Sequence, residues 1–202
     1  MSSADELQLC YGVKIYKLGD PELKVRCSEV TLDEILNSTI VQEAKASAHT
    51  ALRNFRKIEG FGRAIAAPQV GSLIRMIAMN LDGKEITLFN PVVTHRSTET
   101  FTMWDDCLSF PDLMVCVERN RHISVEFIDD QGLTVRWDNC ESDISELLQH
   151  EIDHLDGVLA VDRAVKPPKM TSDDAQLSRG IVNREDWLAN KPMYNEMVDF
   201  SY

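Results

Sequence analysis

Apolar residues follow a helical period in two stretches of the chain. The first stretch begins with residues 31–34, which have the form of a capping box, and its apolar positions continue to Phe55. We therefore predict a long N-terminal helix at about 32–56. The same period predicts a second helix at about 143–154. The polar C-terminal stretch is expected to hold one short helix near 184–189.

Short β-rich runs lie between the two longer helices. Asp82-Gly83 and residues 129–132 each separate two such runs, which is typical of hairpins. The predicted strands are at about 74–79, 86–90, 101–104, 122–128 and 133–137. This order predicts an α+β fold, in which antiparallel or mixed sheets pack around the second helix. We interpret residues 1–202 as one domain, with about 165–202 as a C-terminal extension.

Composition and charge exclude several classes of protein. The 202 residues are 44% hydrophobic and 27% charged, which indicates a folded domain, and the net charge of -12 argues against nucleic-acid binding. No apolar run is long enough to span a membrane, and the acidic stretch 1–9 does not resemble a signal peptide. Five cysteines without a CxxC pair indicate free thiols. A cytoplasmic protein is expected, although a mature organellar form would look the same.

The sequence from His150 to His154 has the HExxH pattern. Residues four apart share one face of a helix, so both imidazoles can reach a single metal ion while Glu151 points to a water. A catalytic divalent ion needs a third protein ligand, and no histidine follows His154. Cys107 is the best thiolate candidate. The acidic candidates are Glu146, Asp153 and Asp156.

Three motifs, taken together and in this order, resemble the peptide deformylase family. Residues 62–69 are similar to its GxGxAAPQ motif, residues 105–109 to EGCLS, and residues 149–157 to QHExDHxxG. The resemblance extends from about Val13 to Ala164. It implies a metal-dependent hydrolase that removes the N-formyl group from the formyl-methionine of new polypeptides and releases formate.

The resemblance also implies a set of site residues. It implies one divalent ion held by Cys107, His150 and His154. In the family this ion is Fe2+, which Ni2+, Co2+ or Zn2+ can replace. Glu151 would take a proton from water and deliver it to the departing amine. The groups implied for the oxyanion are the Gln69 amide and the backbone N–H of Leu108, and those implied for substrate binding are Gly62, Ala64 and Ile65.

The implied partner is the nascent N-formylated polypeptide, with the ribosome exit as a candidate place of encounter, and the chain is expected to be a monomer. Three alternatives stay open. The first is a metallopeptidase that uses the same helix. The second is a deformylase-like enzyme with altered acyl-peptide specificity. The third is a deformylase-like protein that binds metal without turnover.

Four positions depart from the family pattern or bear on it. Ala64 replaces the second glycine of the first motif, and Asp105 and Asp106 stand where Glu and Gly are usual. Asp106 adds charge next to the cysteine and restricts φ. Glu146 is expected to face solvent; if it pointed inward, its carboxylate would disfavour a methionine side chain. Outside these positions, Arg119 is expected to lie on the solvated side of a strand.

Overall fold

This computed structural model describes residues 11–170, 175 and 177–201. Seven consecutive strands lie between two N-terminal helices and the helix that carries His150 and His154. The helices are α1 (Leu32–Asn37), α2 (Thr39–Glu59), α3 (Ser142–Leu155), α4 (Arg184–Ala189) and α5 (Lys191–Glu196). The strands are β1 (Ala64–Ala66), β2 (Met76–Leu81), β3 (Lys84–Arg96), β4 (Thr100–Asp105), β5 (Leu113–Asn120), β6 (Ile123–Ile128), β7 (Thr134–Cys140) and β8 (Ile181–Asn183). The expectations for residues 1–9 and Cys10 lie outside the described residues.

Two antiparallel sheets carry the fold. One has the strand order β1-β2-β3-β6-β7 and the other the order β4-β5-β8. Helix α3 contacts β1, β2 and β7 of the first sheet and β5 of the second. Every residue of α3 from Ser145 to Leu155 is buried. The α+β class with antiparallel sheets is therefore confirmed.

The first predicted helix is divided into two. Thr31 caps α1, its side chain accepting from the Glu34 N–H while the Glu34 carboxylate accepts from the Thr31 N–H. Ser38 then adopts an extended conformation with ψ of 122°, which ends α1 before α2 begins. Ile40, an apolar residue within the predicted helix, is 71% exposed. Periodicity over a long window does not detect a break of one residue, so the single-helix prediction was wrong at this point.

The strand prediction was right at both hairpins and incomplete elsewhere. Asp82, with φ of 51°, and Gly83 join β2 to β3, with Leu81 opposite Lys84. The second hairpin joins β6 to β7 as predicted. Strand β5 was not predicted, because Met114, like the three residues after it, is buried and gives no polar alternation.

The C-terminal segment, defined as residues 177–201, packs against the second sheet. Strand β8 pairs with β5, and the predicted short helix is confirmed as α4, capped by Asn183. The Trp104 indole donates to the Tyr194 carbonyl at 2.9 Å, and the backbone N–H of Phe200 donates to the Thr102 carbonyl at 3.0 Å. These bonds fix the segment beside β4, the strand that leads to Cys107. Within the described ranges, no helix is long and apolar enough to cross a membrane.

Candidate metal centre and active site

Helix α3 presents three chemically active side chains on its buried surface. His150, Glu151 and His154 are all buried, and the two imidazole rings have their centroids 5.0 Å apart. The helix forms here because apolar residues such as Leu148 and Ile152 pack into the core between the motif positions. The HExxH side chains are therefore held by a helix that is itself fixed on several sides.

The thiol of Cys107 lies beside these histidines. One ligand atom from each of Cys107, His150 and His154 can be chosen so that all three lie within 4.8 Å of one another. The Cys107 Sγ is 3.3 Å from His154 Nε2 and 3.6 Å from Gln69 Nε2. A thiolate with two imidazoles suits a divalent transition-metal ion and leaves a position open for water. The donor set therefore fits one metal ion.

The orientation of His150 is set by a carboxylate behind it. Asp105 Oδ2 lies 2.9 Å from His150 Nδ1, which leaves the other ring nitrogen of His150 to face the cluster. Burial alone would raise the pKa of Asp105, but His150 and the nearby Arg119 guanidinium lower it to about 2. Asp105 thus stays charged and holds the His150 ring in place.

Arg119 is part of this buried arrangement, contrary to the expectation that it faces solvent. Its side chain is 3% exposed and donates to Asp105 at 3.0 Å and to Asp153 at 2.6 Å. Arg163 completes the pairing by donating twice to Asp153. Asp153 is therefore occupied by arginines and is not in the cluster with Cys107. The sequence shows no sign of this, because the partners Asp105 and Asp153 lie on other elements and only the fold brings them to Arg119.

Glu151 is the group best placed to move a proton. Its Oε2 atom is buried and has no hydrogen-bond partner among the described residues. Burial raises the pKa of Glu151 to about 7, opposed by the charge on His150. Glu151 lines a cavity of about 340 Å³, together with His150, Gln69 and Leu108. A carboxyl group with a pKa near 7 can both take up and release a proton near neutral pH.

Gln69 and Leu108 offer N–H donors at the same cavity. The Gln69 Oε1 accepts from the Ala66 N–H at 2.8 Å, so the amide is oriented with Nε2 toward Cys107 and Ser109. Leu108 directly follows Cys107, and its backbone N–H has no hydrogen-bond partner in the part of the chain that the structure describes. Both donors are therefore available near the thiol.

The three predicted substrate-binding residues differ in their positions. Gly62 and Ala64 line the cavity. Gly62 has φ of +102°, and a Cβ there would lie 3.3 Å from a Leu108 methyl, so a larger residue would be strained. The Ile65 side chain is fully buried in the core below α2.

Glu146 is buried, and the expectation that it faces solvent was wrong. It lies one turn before His150 on α3 and is 2% exposed. The reason is a partner that the sequence did not reveal: the Arg63 guanidinium bonds to Glu146 Oε1 and also donates to the Asp143 carbonyl at 2.9 Å. Burial raises the pKa of Glu146, and the Arg63 guanidinium in contact with its carboxylate opposes this shift. Both partners line the cavity.

Asp106 faces a different part of the molecule from Asp105. It lines the cavity and accepts from Arg184 of the C-terminal segment at 2.9 Å. The Arg184 guanidinium also lies 3.7 Å from the centroid of the Phe61 ring. Among the described non-glycine residues, positive φ occurs only at Asp82, Asn90 and Asn139, so Asp106 does not need glycine's freedom. The charge expected beside Cys107 is thus paired with an arginine.

A helix with two histidines and a glutamate, next to a thiol and a cavity, defines a candidate metal-dependent hydrolase. The family model described as Polypeptide deformylase matches residues 13–170. A peptide deformylase of Thermotoga neapolitana is 35% identical over 160 residues, 79% of this chain and 89% of the relative. The structure of the Thermotoga maritima peptide deformylase is 30% identical, with a TM-score of 0.64 over 75% of this chain and 97% of that chain. The Met-Ala-Ser-bound peptide deformylase of Acinetobacter baumannii is 28% identical, with a TM-score of 0.66 over 75% and 97%.

The chain belongs to the peptide deformylase family, whose members are hydrolases that act on N-formyl-methionine peptides and use a single catalytic metal ion. This membership favours deformylation over the metallopeptidase alternative. The C-terminal segment lies beyond the residues that the family model matches.

Proposed function

We propose that this chain removes the N-formyl group from nascent polypeptides by hydrolysis, with Cys107, His150 and His154 as metal ligands and Glu151 as the general base. One observation carries this proposal: a buried carboxyl without a partner lies next to the only Cys-His-His cluster within the described residues. A purely structural metal would not need such a group. The substrate is a new polypeptide that still carries its formyl group.

The metal is proposed to be Fe2+ in the cell, with Ni2+, Co2+ or Zn2+ as replacements. The donor set of one thiolate and two imidazoles supports a transition metal over Mg2+ or Ca2+. When bound, the ion would act as a Lewis acid that lowers the pKa of water and polarises the formyl oxygen. Asp105 holds His150 in the orientation that such an ion requires.

Glu151 carries the proton through the reaction. Its carboxylate takes the proton from the attacking water, and the protonated carboxyl then donates it to the nitrogen of the departing amine. The raised pKa of Glu151, about 7, suits both steps because neither protonation state is strongly favoured near neutral pH.

The oxyanion that develops on the formyl group is stabilised by two N–H donors, the Gln69 side-chain amide and the Leu108 backbone. The hydrogen bond from Ala66 to Gln69 Oε1 orders the amide before substrate arrives.

The peptide is proposed to lie along Gly62, Ala64 and Ile65. Strand β1 is the outer strand of its sheet, paired on one side with β2, so its other edge offers backbone groups to an extended peptide. The cavity wall formed by Gly62 and Ala64 supports this placement.

The remaining proposals concern the setting of the enzyme. We propose one catalytic domain centred on α3, which carries the HExxH residues, with α2 as its long N-terminal helix and about 165–202 as a C-terminal extension. The protein would act as a monomer in a bacterial-type cytoplasm, where nascent chains leave the ribosome.

The test is formate release from formyl-Met-Ala-Ser. The protein is purified without oxygen and loaded with Fe2+ or Ni2+, and one metal ion per chain is verified by elemental analysis. We expect turnover in the native protein and a loss of about 10²-fold or more in Glu151→Ala, since a general base contributes about this much. The Glu151→Ala protein should retain its metal. Fully metallated native protein without formate release would instead support a metal-binding protein that has lost turnover.

A further inference from the structure

The wall of the catalytic cavity that faces the substrate carries a buried ion pair. The proposed catalytic groups line this cavity: Glu151, Gln69 and Leu108. The same cavity is lined by Leu147, Glu146 and Arg63. When the formyl group lies at the catalytic groups, the first side chain of the peptide is only a few bond lengths away from those groups. The remaining wall of the cavity is therefore the surface that this side chain meets.

Arg63 and Glu146 are arranged so that their polar atoms stay at this wall. Glu146 is almost fully buried, and Arg63 is held by Glu146 and by the Asp143 carbonyl while about a third of its side chain is exposed. The pair also lines a second cavity of about 200 Å³. The other wall of that cavity is formed largely by the C-terminal segment, through Arg184 and Trp187. The ion pair therefore lies between two cavities and lines both of them.

An ion pair in this position favours one kind of ligand. An apolar side chain placed against it removes its remaining hydration and returns no hydrogen bond, which is unfavourable. A carboxamide can accept from the guanidinium and donate to the carboxylate at the same time. A charged side chain would be attracted to one partner and repelled by the other.

We propose that Arg63 and Glu146 determine the selectivity of this enzyme for the first side chain of the formylated peptide, and that they favour a carboxamide over an apolar side chain of the same length. This inference rests on the proposed function and names the substrate class of that same site. Formyl-methionine peptides remain substrates, but a peptide with glutamine in first position is bound better than one with norleucine.

The experiment compares formyl-Gln-Ala-Ser with formyl-norleucyl-Ala-Ser. We expect the native protein to favour the glutamine peptide in kcat/KM by about tenfold, the size of one net hydrogen bond. In the double variant Arg63→Leu/Glu146→Leu the preference should reverse, because the wall becomes apolar. Replacement of both partners leaves no unpaired buried charge, and thermal unfolding verifies that the variant folds. If it does not fold, Arg63→Met/Glu146→Met takes its place, since methionine fills irregular space more readily.

The matched control is a second arginine–glutamate pair on the surface. Arg53 Nη1 and Glu85 Oε1 are 2.5 Å apart, outside the cavity and more exposed. The double variant Arg53→Leu/Glu85→Leu should retain the native preference. A native preference for norleucine would overturn the inference. The inference would also be overturned if the ratio of kcat/KM for the two peptides were the same in the native protein and in Arg63→Leu/Glu146→Leu.

Failure of the inference can be separated from failure of the proposed function. The two peptides are also titrated against metal-loaded Glu151→Ala protein, in which binding is measured without turnover. A tenfold tighter Kd for the glutamine peptide supports the selectivity even if the native protein releases no formate. Formate release from both peptides, without a preference in kcat/KM or in Kd, leaves the deformylase activity in place and refutes the role of the ion pair.

Discussion

Asp105 and Asp106 are neighbours in the chain but belong to two different regions of the molecule. Asp105 points inward, where it contacts His150 and Arg119, both buried. Asp106 points outward, where it pairs with Arg184 at the edge of the cavity. The inner network lies within the part of the chain that the family model matches, whereas the outer contact depends on the C-terminal segment. Adjacent carboxylates can thus serve unrelated purposes, because the strand β4 ends at Asp105 and the two side chains meet different partners.

The inner network should dominate stability. Arg119→Met leaves two carboxylates, Asp105 and Asp153, buried near each other with less compensation. We expect a loss of about 3–5 kcal/mol in the free energy of unfolding, measured by urea denaturation. Arg163→Met is the control, because Arg163 also bonds to Asp153 but is about half exposed, and its loss should be about 1 kcal/mol or less. Equal losses in the two variants would contradict the distinction between buried and exposed partners.

The two aspartates should differ in their effect on metal affinity. Asp105→Asn removes the charge that orients His150, and the loss of such a partner typically lowers metal affinity by about 10–100-fold. Asp106→Asn should change metal affinity by about twofold at most, since Asp106 does not contact a proposed ligand side chain. Competition with a chromogenic chelator measures both. Similar losses would indicate that the outer carboxylate also supports the metal.

The outer contact should affect substrate binding. Arg184→Gln removes the charge pair with Asp106 and weakens the contact with Phe61, whose ring lines the cavity. We expect KM for formyl-Met-Ala-Ser to rise about threefold, in line with an exposed cation–π contact, while kcat and metal content stay the same. Arg179→Gln, an exposed arginine of the same segment, is the control and should change nothing. A fall in kcat without a change in KM would contradict this assignment.

The smallest effect concerns the attachment of the C-terminal segment at acidic pH. Hydrogen bonds from Lys169 and Thr102 lower the pKa of Asp199 below its ordinary value of 3.8. A carboxylate with a lowered pKa in the folded state contributes stability above that ordinary value, and this contribution is lost as the pH falls through the lowered pKa. Hydrogen exchange at the Phe200 amide, corrected for intrinsic rates, should therefore accelerate below that pH before the core strands do. Asp199→Asn should remove this pH dependence, and an unchanged profile in the variant would assign the acid sensitivity to another group.

Local signals in the sequence explain which elements were predicted correctly. The capping box at Thr31, the Asp82-Gly83 turn and the short helix α4 depend on contacts between residues close in sequence, so one sequence is sufficient to find them. The HExxH spacing is also local, since helix geometry alone brings His150 and His154 to one face. The break at Ser38 and the strand β5 were missed, because neither has a distinctive local pattern.

The sequence alone determined which chemistry the chain carries, through the three motifs and the helix with its two histidines and glutamate. Only the tertiary structure decided which charged groups are buried and with whom. Arg119, Arg163 and Asp153 meet from different elements, and Glu146 faces inward because it pairs with Arg63, which lies just before β1, far away in the chain. The physical reason is that the free energy of burying a charge depends on the partner beside it, and only the tertiary structure brings that partner close.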